Sequence, residues 1–196
     1  MSLLPDILAS YRARYPDVLL RSHVAPIGSL VALLRAGDAA LAMAMDDQMT
    51  PDISVEHLGV TTFCCLLPKT HPLAERESVS FADLQGQTVI SYRAPTRPRE
   101  ELDQAARKKG LVFSAQLEIE VSISAVGFVQ AGLGVAVVDD LLPWKQFEGV
   151  TTRPLQDSPD LPLSLLSLAG KTLSRAEEGM RDEIRKLCAS RLPARP

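Results

Sequence analysis

Aromatic residues are scarce in this chain: one tryptophan, three tyrosines and five phenylalanines, 5% of 196 residues. Its core must therefore be assembled from leucine, valine and alanine. Cysteine is scarcer still. Cys64, Cys65 and Cys188 are an odd set, two of them adjacent in an apolar run, which argues against a disulfide framework and suits reduced, buried thiols in a cytoplasmic protein. No apolar run approaches the roughly 18 residues of a membrane-spanning helix. The opening MSLLPDIL lacks the basic segment and long apolar stretch of a secretory signal. Positive charge is not in excess either. With 21 Lys and Arg against 24 Asp and Glu, a net charge of −3 and a pI near 5.6, this chain is not expected to grip nucleic acid by itself. Internal repeats and low-complexity segments are missing. What remains, 46% hydrophobic and 23% charged, suits a globular protein able to bury a sizeable core as one domain or two small lobes.

The most informative stretch is SISAVGFVQAGLGVAVVDD, residues 122–140. It reads as a helix, a glycine stop and a buried strand. Val126, Val129 and Leu133 recur at near-helical spacing, Gly132 stands where a left-handed cap is expected, and residues 135–138 form an apolar run suited to a doubly covered strand of a parallel sheet. That order excludes a nucleotide loop at Gly-Leu-Gly. Dinucleotide-binding glycines lie between a strand and the helix that follows, so that phosphates meet a helix N-terminus.

Elsewhere Leu4, Ile7, Leu8 and Tyr11 share one face of an opening helix that Pro16 ends. Residues 18–24 and 39–45 read as strands, separated by a helix over 29–35 that Gly37 stops. Further strands are expected at 55–58, 61–67, 88–92, 116–121, 150–155 and 163–168. Ser80 opens a short helix with Asp83 as its capping carboxylate. The helix over 98–109 carries Glu100 and Glu101 at its start and Arg107, Lys108 and Lys109 at its end, matching the helix dipole. Ser174 and Glu177 form a capping box for a final helix over 174–187. This alternation predicts a parallel-dominated α/β protein with helices on both faces.

Catalytic chemistry finds little support. His23, His57 and His71 belong to no metal-ligand pattern, no Gly-x-Ser-x-Gly elbow is present, and Cys64 and Cys65 have apolar neighbours that would not activate a thiol. No cofactor, metal or enzymatic activity is expected. The segment SYRAPTRPREE, residues 91–101, is more telling. A strand ends at Tyr92, a loop carries Arg93, Thr96 and Arg97, and a helix begins near Pro98, so backbone N–H groups and guanidinium forks are available to a carboxylate. The bland alternative is a solvated loop whose arginines pair with Glu100 and Glu101. Ser122, at the start of the 122–140 stretch, reads from the residues alone as an ordinary N-cap.

Four stretches in register resemble the effector-binding domain of LysR-type transcriptional regulators: LLPDILASYRARYPDVLL (3–20), LLRAGDAALAMA (33–44), LLPKTHPLAERESVSFADLQGQTVISY (66–92) and AGLGVAVVD (131–139). The Asp-Asp after Val-Val looks most like the branch that senses opines and other amino-acid conjugates. The resemblance implies a periplasmic-binding-protein type 2 fold, two Rossmann-like lobes joined by crossover strands at 63–67 and 163–168. Lobe one would be 1–66 with 167–196, and lobe two 67–166. It places a small, carboxylate-bearing effector in the interlobe cleft, against Ser2, Ile27, Gly28, Ser91, Arg93, Thr96, Arg97 and Ser122. Ile27 replaces the serine or threonine of many relatives and makes that wall more apolar. The family further implies a homodimer or homotetramer, no membrane partner, and DNA binding only through an N-terminal winged helix-turn-helix that this sequence does not contain. A solute-binding protein of a transport system and a small enzyme using the same cleft are the rival readings. The family also has a strand before Leu3, central to lobe one, so its first strand is expected to be truncated here. Residues 18–24 and 39–45 would then face each other across a gap, pair directly or borrow a strand, a dry gap being the least expected because buried unpaired backbone groups are costly.

Overall fold

The computed structural model describes residues 3–193. The chain forms two compact units, Thr61–Leu161 (the central unit) and the remainder up to Val60 and from Pro162 (the terminal unit). It passes from one to the other twice.

The terminal unit contains α1 (Leu3–Arg14), α2 (Ile27–Ala36), β1 (Ala42–Ala44) and β2 (Ile53–Thr61). The central unit contains β3 (Phe63–Pro68), β4 (Val89–Tyr92), α3 (Arg97–Lys108), β5 (Leu117–Ile119), α4 (Ala125–Gln130), β6 (Val135–Asp139) and β7 (Val150–Pro154). The chain then returns through β8 (Leu161–Leu168) and α5 (Arg175–Arg191).

Five strands of the central unit form one sheet in the order β5-β4-β6-β3-β7. The expected parallel-dominated sheet is corrected here: β4 is parallel to β5 and β6, but β3 is antiparallel to both β6 and β7. The reason is connectivity. A parallel pair needs a crossover, which α3 supplies between β4 and β5 and α4 between β5 and β6, whereas β3 enters from the other unit without one. Cys64, Leu66, Ile90, Ala136 and Val138 pack with Ala125, Val126 and Val129 of α4 and with Trp144. Alternate residues Cys65, Leu67 and Val137 point to the opposite face and are equally buried, so the sheet is covered on both sides.

The glycine pair of the 131–139 motif has two different tasks. Gly132 (φ 74°) is the left-handed residue of a Schellman turn, in which Gly132 N–H donates to Val129 O (3.0 Å) and Leu133 N–H to Phe128 O (3.0 Å). Leu133 is consequently half exposed and does not extend the apolar face of α4, contrary to its helical spacing. Gly134 (φ 151°) brings the backbone against β4, with Val135 N–H donating to Thr88 O at 3.0 Å. A Cβ on Gly134 would lie 2.2 Å from that oxygen.

Ser80 and Asp83 exchange bonds as a capping pair does, Ser80 N–H to Asp83 Oδ2 (2.9 Å) and Asp83 N–H to Ser80 Oγ (3.3 Å). Yet residues 81–86 form successive turns rather than the expected helix. Gly86 lies at positive φ (81°) within that run, which ends the turns before a helix is established.

In the terminal unit the strand order is β1-β8-β2, with β1 antiparallel to β8. Ala42, Ala44 and Leu166 pack with Leu34 and Ile53, and α2 contributes Ile27, Leu30 and Val31 around them. α1 is tied to α5 by Tyr11, whose hydroxyl donates to Ala176 O (2.9 Å), by Ser10 to Glu183 (2.5 Å) and by an Arg191–Asp6 ion pair. The capping box at the start of α5 is present, with Ser174 N–H donating to Glu177 and Glu177 N–H to Ser174. Residues 18–24, expected as a strand, belong to no sheet, and β1 covers only three residues of the expected 39–45. Neither stretch pairs with the other. A strand needs a partner for its backbone groups, and among the described residues none is offered to 18–24.

Candidate ligand-binding site

The side-chain chemistry of the central unit collects where β4 and β6 end. Tyr92, the last residue of β4, is buried and donates its phenol proton to Asp139 Oδ2 at 2.6 Å. Asp139 N–H returns a bond to the phenol oxygen (3.1 Å), and Leu141 N–H donates to Asp139 Oδ1 (3.0 Å). Trp144 Nε1 donates to the Asp139 carbonyl at 2.7 Å. Burial first, and then the charge of Asp139, push the Tyr92 phenol well above its usual range, while its contact with the Ser122 hydroxyl works the other way. The phenol therefore remains a proton donor at any ordinary pH.

Ser122 opens a short 3₁₀ turn (Ser122–Ser124) that leads into α4. Its expected role as an N-cap is not seen. Val121 occupies the cap of that turn and Ser124 the cap of α4, neither with a side-chain capping bond. The Ser122 hydroxyl instead meets Tyr92.

The loop between β4 and α3, with the first turn of α3, carries the arginines. Arg93 pairs with Glu120 (3.0 Å), with both side chains about half exposed. Arg97 pairs with Glu101 one helical turn on (2.9 Å), and both are largely covered. Thr96 turns its hydroxyl back to Arg93 O (2.8 Å) and caps α3 without a side-chain bond. The sequence left Arg99 unremarked, yet it is the most embedded arginine of the group. It bonds Asp103 (2.9 Å), Glu118 (3.2 Å) and Tyr92 O (3.2 Å), and its guanidinium lies 5.5 Å from the Phe113 ring centre.

The sequence-derived residues are thus only partly gathered. Ser122 meets the end of β4, Arg93 and Thr96 share the adjoining loop, and Arg97 begins α3. Ser91 is fully buried and donates its hydroxyl to Val137 O (2.8 Å), which stitches β4 to β6 within the sheet. Ile27 and Gly28 begin α2 in the other unit, and a Cβ on Gly28 would meet nothing within 4 Å. Ser2 lies outside the described residues.

Tyr92 and Asp139 were missed for a physical reason. They are 47 positions apart and meet only because β4 and β6 are neighbours in the sheet. The available signal was a tyrosine closing one apolar strand and an aspartate closing another. Beyond Asp139, a recess of about 370 Å³ is lined by Cys64, Asp140, Trp144 and Lys145, among others. Burial, then the charge of Asp139, raise Asp140, and burial raises the Cys64 thiol well above its usual range, so Cys64 is no nucleophile. Among the described residues no group of His, Cys, Asp and Glu is placed to hold a metal, and no helix is long and apolar enough to cross a membrane.

The family described as "LysR substrate binding domain" matches residues 1–189. An "Uncharacterized HTH-type transcriptional regulator YybE" of Bacillus subtilis (strain 168) is 27% identical over 71% of this chain and 48% of its own length. The chain thus spans about half the length of that relative. Among solved structures, "Effector binding domain of QuiR in complex with shikimate" superposes with a TM-score of 0.81 at 17% identity, over 96% of this chain and 91% of that one. "BenM effector binding domain with its effector benzoate" does so with a TM-score of 0.78 at 20% identity, over 100% and 90%. These likenesses establish the periplasmic-binding-protein type 2 kind of α/β fold, and with the family matched from residue 1 to residue 189, the chain belongs to the LysR substrate-binding domain family.

Proposed function

We propose that this chain is the effector sensor of a LysR-type DNA-binding transcription regulator and that it takes a small carboxylate at the end of β4. The observation that carries this reading is the edge where β4 ends, which sets Arg93 in the loop and Arg97 at the first residue of α3, with the Ser122 turn following β5. Guanidinium forks and a helix N-terminus both favour an anion. Two structural neighbours are described with shikimate and benzoate, both carboxylates. A transport role and a catalytic one gain no comparable support, since the matched relative is described as a transcriptional regulator. In the parent protein, in the cytoplasm, binding would shift the balance of conformations in a homodimer or homotetramer and so alter how its N-terminal domains meet DNA. An opine or related amino-acid conjugate is the favoured ligand class within the carboxylates.

Titration calorimetry with benzoate, shikimate and a panel of opines tests the site. Ser122→Ala and Arg93→Ala should each weaken the effector found by about 5- to 50-fold, the loss of a charge-assisted hydrogen bond. Unchanged affinity in Ser122→Ala, Arg93→Ala and Arg97→Ala alike would remove the site from this edge.

A further inference from the structure

The recess beyond Asp139 takes no lining from the arginine loop or from the Ser122 turn. Its floor is sheet. Cys64 pairs with Pro154 and Leu66 with Thr152, and Cys64 and Leu66 pack toward α4, so Cys64, Thr152 and Pro154 stand together on that face. Its wall is the chain that leaves β6, through Pro143 and a 3₁₀ turn over Trp144–Gln146. The consecutive aspartates at the end of β6 have different tasks. Asp139 spends its carboxylate on Tyr92 and on Leu141 N–H. Asp140 lines the recess, and its N–H donates to Thr62 O (3.0 Å), so the ladder between β6 and β3 fixes its position. Lys145 lines the same recess from the 3₁₀ turn. The two opposite charges act on each other yet form no ion pair with each other.

We propose that this recess is a second binding site, for a free α-amino acid, whose ammonium meets Asp140, whose carboxylate meets Lys145 and whose side chain lies against Pro143, Pro154 and Trp144. A carboxylate and an ammonium held apart across one recess, with apolar walls between them, match a ligand that carries both charges. Its volume of about 370 Å³ falls within the range of small-molecule pockets. Burial, and then the charge of Asp139, raise the Asp140 carboxyl, although the residue stays open enough for a ligand to reach. An arriving ammonium therefore relieves a carboxylate that is short of water. An anion alone would meet Asp140, a cation alone would meet Lys145, and an apolar molecule would cover both charges unpaired. The Cys64 thiol on the floor, raised well above its usual range, stays neutral and repels neither end. Among the described residues no group of His, Cys, Asp and Glu makes the recess a metal site.

Trp144 is the single tryptophan of the sequence, so its emission reports on the recess. The test titrates the chain with glycine, L-valine, L-leucine and L-glutamine, followed by Trp144 fluorescence and by calorimetry. At least one of these should give a saturable change in both. The N-acetyl and the amide derivatives of that amino acid, each missing one charge, should bind roughly tenfold more weakly or worse. Asp140→Asn and Lys145→Met should weaken the amino acid by a similar factor. Ser122→Ala and Arg93→Ala should leave it unchanged, which keeps this site separable from the one at the end of β4. If circular dichroism shows Asp140→Asn to be poorly folded, Lys145→Met and the two derivatives decide the matter. No saturable change with any of the amino acids would overturn the site. An N-acetyl derivative that binds as tightly would make the recess an anion site, an amide that does so a cation site, and either would overturn the assignment. Binding lost in Arg93→Ala and kept in Asp140→Asn would move the amino acid to the end of β4 and overturn the recess.

Discussion

The two units of this chain are made from the same alternation of helices and strands, and only one of them closes its sheet. In the central unit every residue of β4 and β6 is buried, and both edges of each strand are paired. In the terminal unit β1 spans three residues, has one partner among the described residues, and belongs with an extended segment that exposes leucine and valine. Hydrophobic content does not separate them. Completion of the hydrogen-bond ladder does, since an α/β layer becomes a core only when each buried strand has backbone partners on both sides.

The contrast is broken most violently at glycine. Gly134→Ala should cost more than about 4 kcal/mol, because the new Cβ would sit 2.2 Å from Thr88 O at a φ of 151° and the obstacle is backbone. Gly28→Ala, at the start of α2 in open space, should be neutral or stabilise by up to about 1 kcal/mol. Urea unfolding of both variants measures the difference. A mild Gly134→Ala would mean that β4 and β6 can move apart, and that the central sheet is less rigid than its packing suggests.

Two tyrosines give a finer comparison. Tyr92→Phe removes the donor to a buried carboxylate and should cost about 2–3 kcal/mol. Tyr11→Phe removes a bond to a backbone carbonyl of α5 and should cost about 1 kcal/mol. Equal losses in denaturant titrations would show that Asp139 is held by its backbone donors alone.

The last comparison is alkaline. Burial, aided by the charge of Asp83, pushes the Cys65 thiol of the central unit up to about 12, and burial pushes Cys188 of the terminal unit up to about 11. Each thiol stays protonated when folded but ionises in the unfolded chain near 8.5, so its contribution is complete below that pH and is lost as pH rises toward the folded value. At pH 10 each thiol should cost about 1–2 kcal/mol relative to pH 8. The loss should continue further for Cys65 than for Cys188 before it levels off. Thermal melts of Cys65→Val and Cys188→Val between pH 8 and 11 would show it as a flatter decline.

Local signals carried the helices well. The dipole-matched charges of α3, the Ser174 capping box and the Gly132 stop all work within one or two turns of chain, where sequence spacing is geometry; on α1 the spacing found Ile7 and Tyr11, but the buried face takes Leu3 and leaves Leu4 exposed. Strand direction was not legible, because nothing inside the 63–68 run records that its neighbours in the sheet run against it. The 18–24 stretch has the alternation of a strand but lacks a partner, and pattern alone cannot report a missing neighbour. At the candidate site the arginine loop was visible as composition, whereas Ser91, a plausible ligand contact by position, is spent on Val137, and the Tyr92–Asp139 pair appears only once the sheet order is known.

The ion pairs of the β4–α3 loop have a consequence for sensitivity. Arg93 and Arg97 already hold Glu120 and Glu101. A carboxylate ligand arriving at either arginine exchanges one anion for another and does not meet a bare cation. A tethered competitor acts at an effective concentration in the millimolar range for short links. If the proposed carboxylate binds here, the resident glutamates would set a threshold below which trace anions go unnoticed, and would tune the dose of any response without touching the ligand at all.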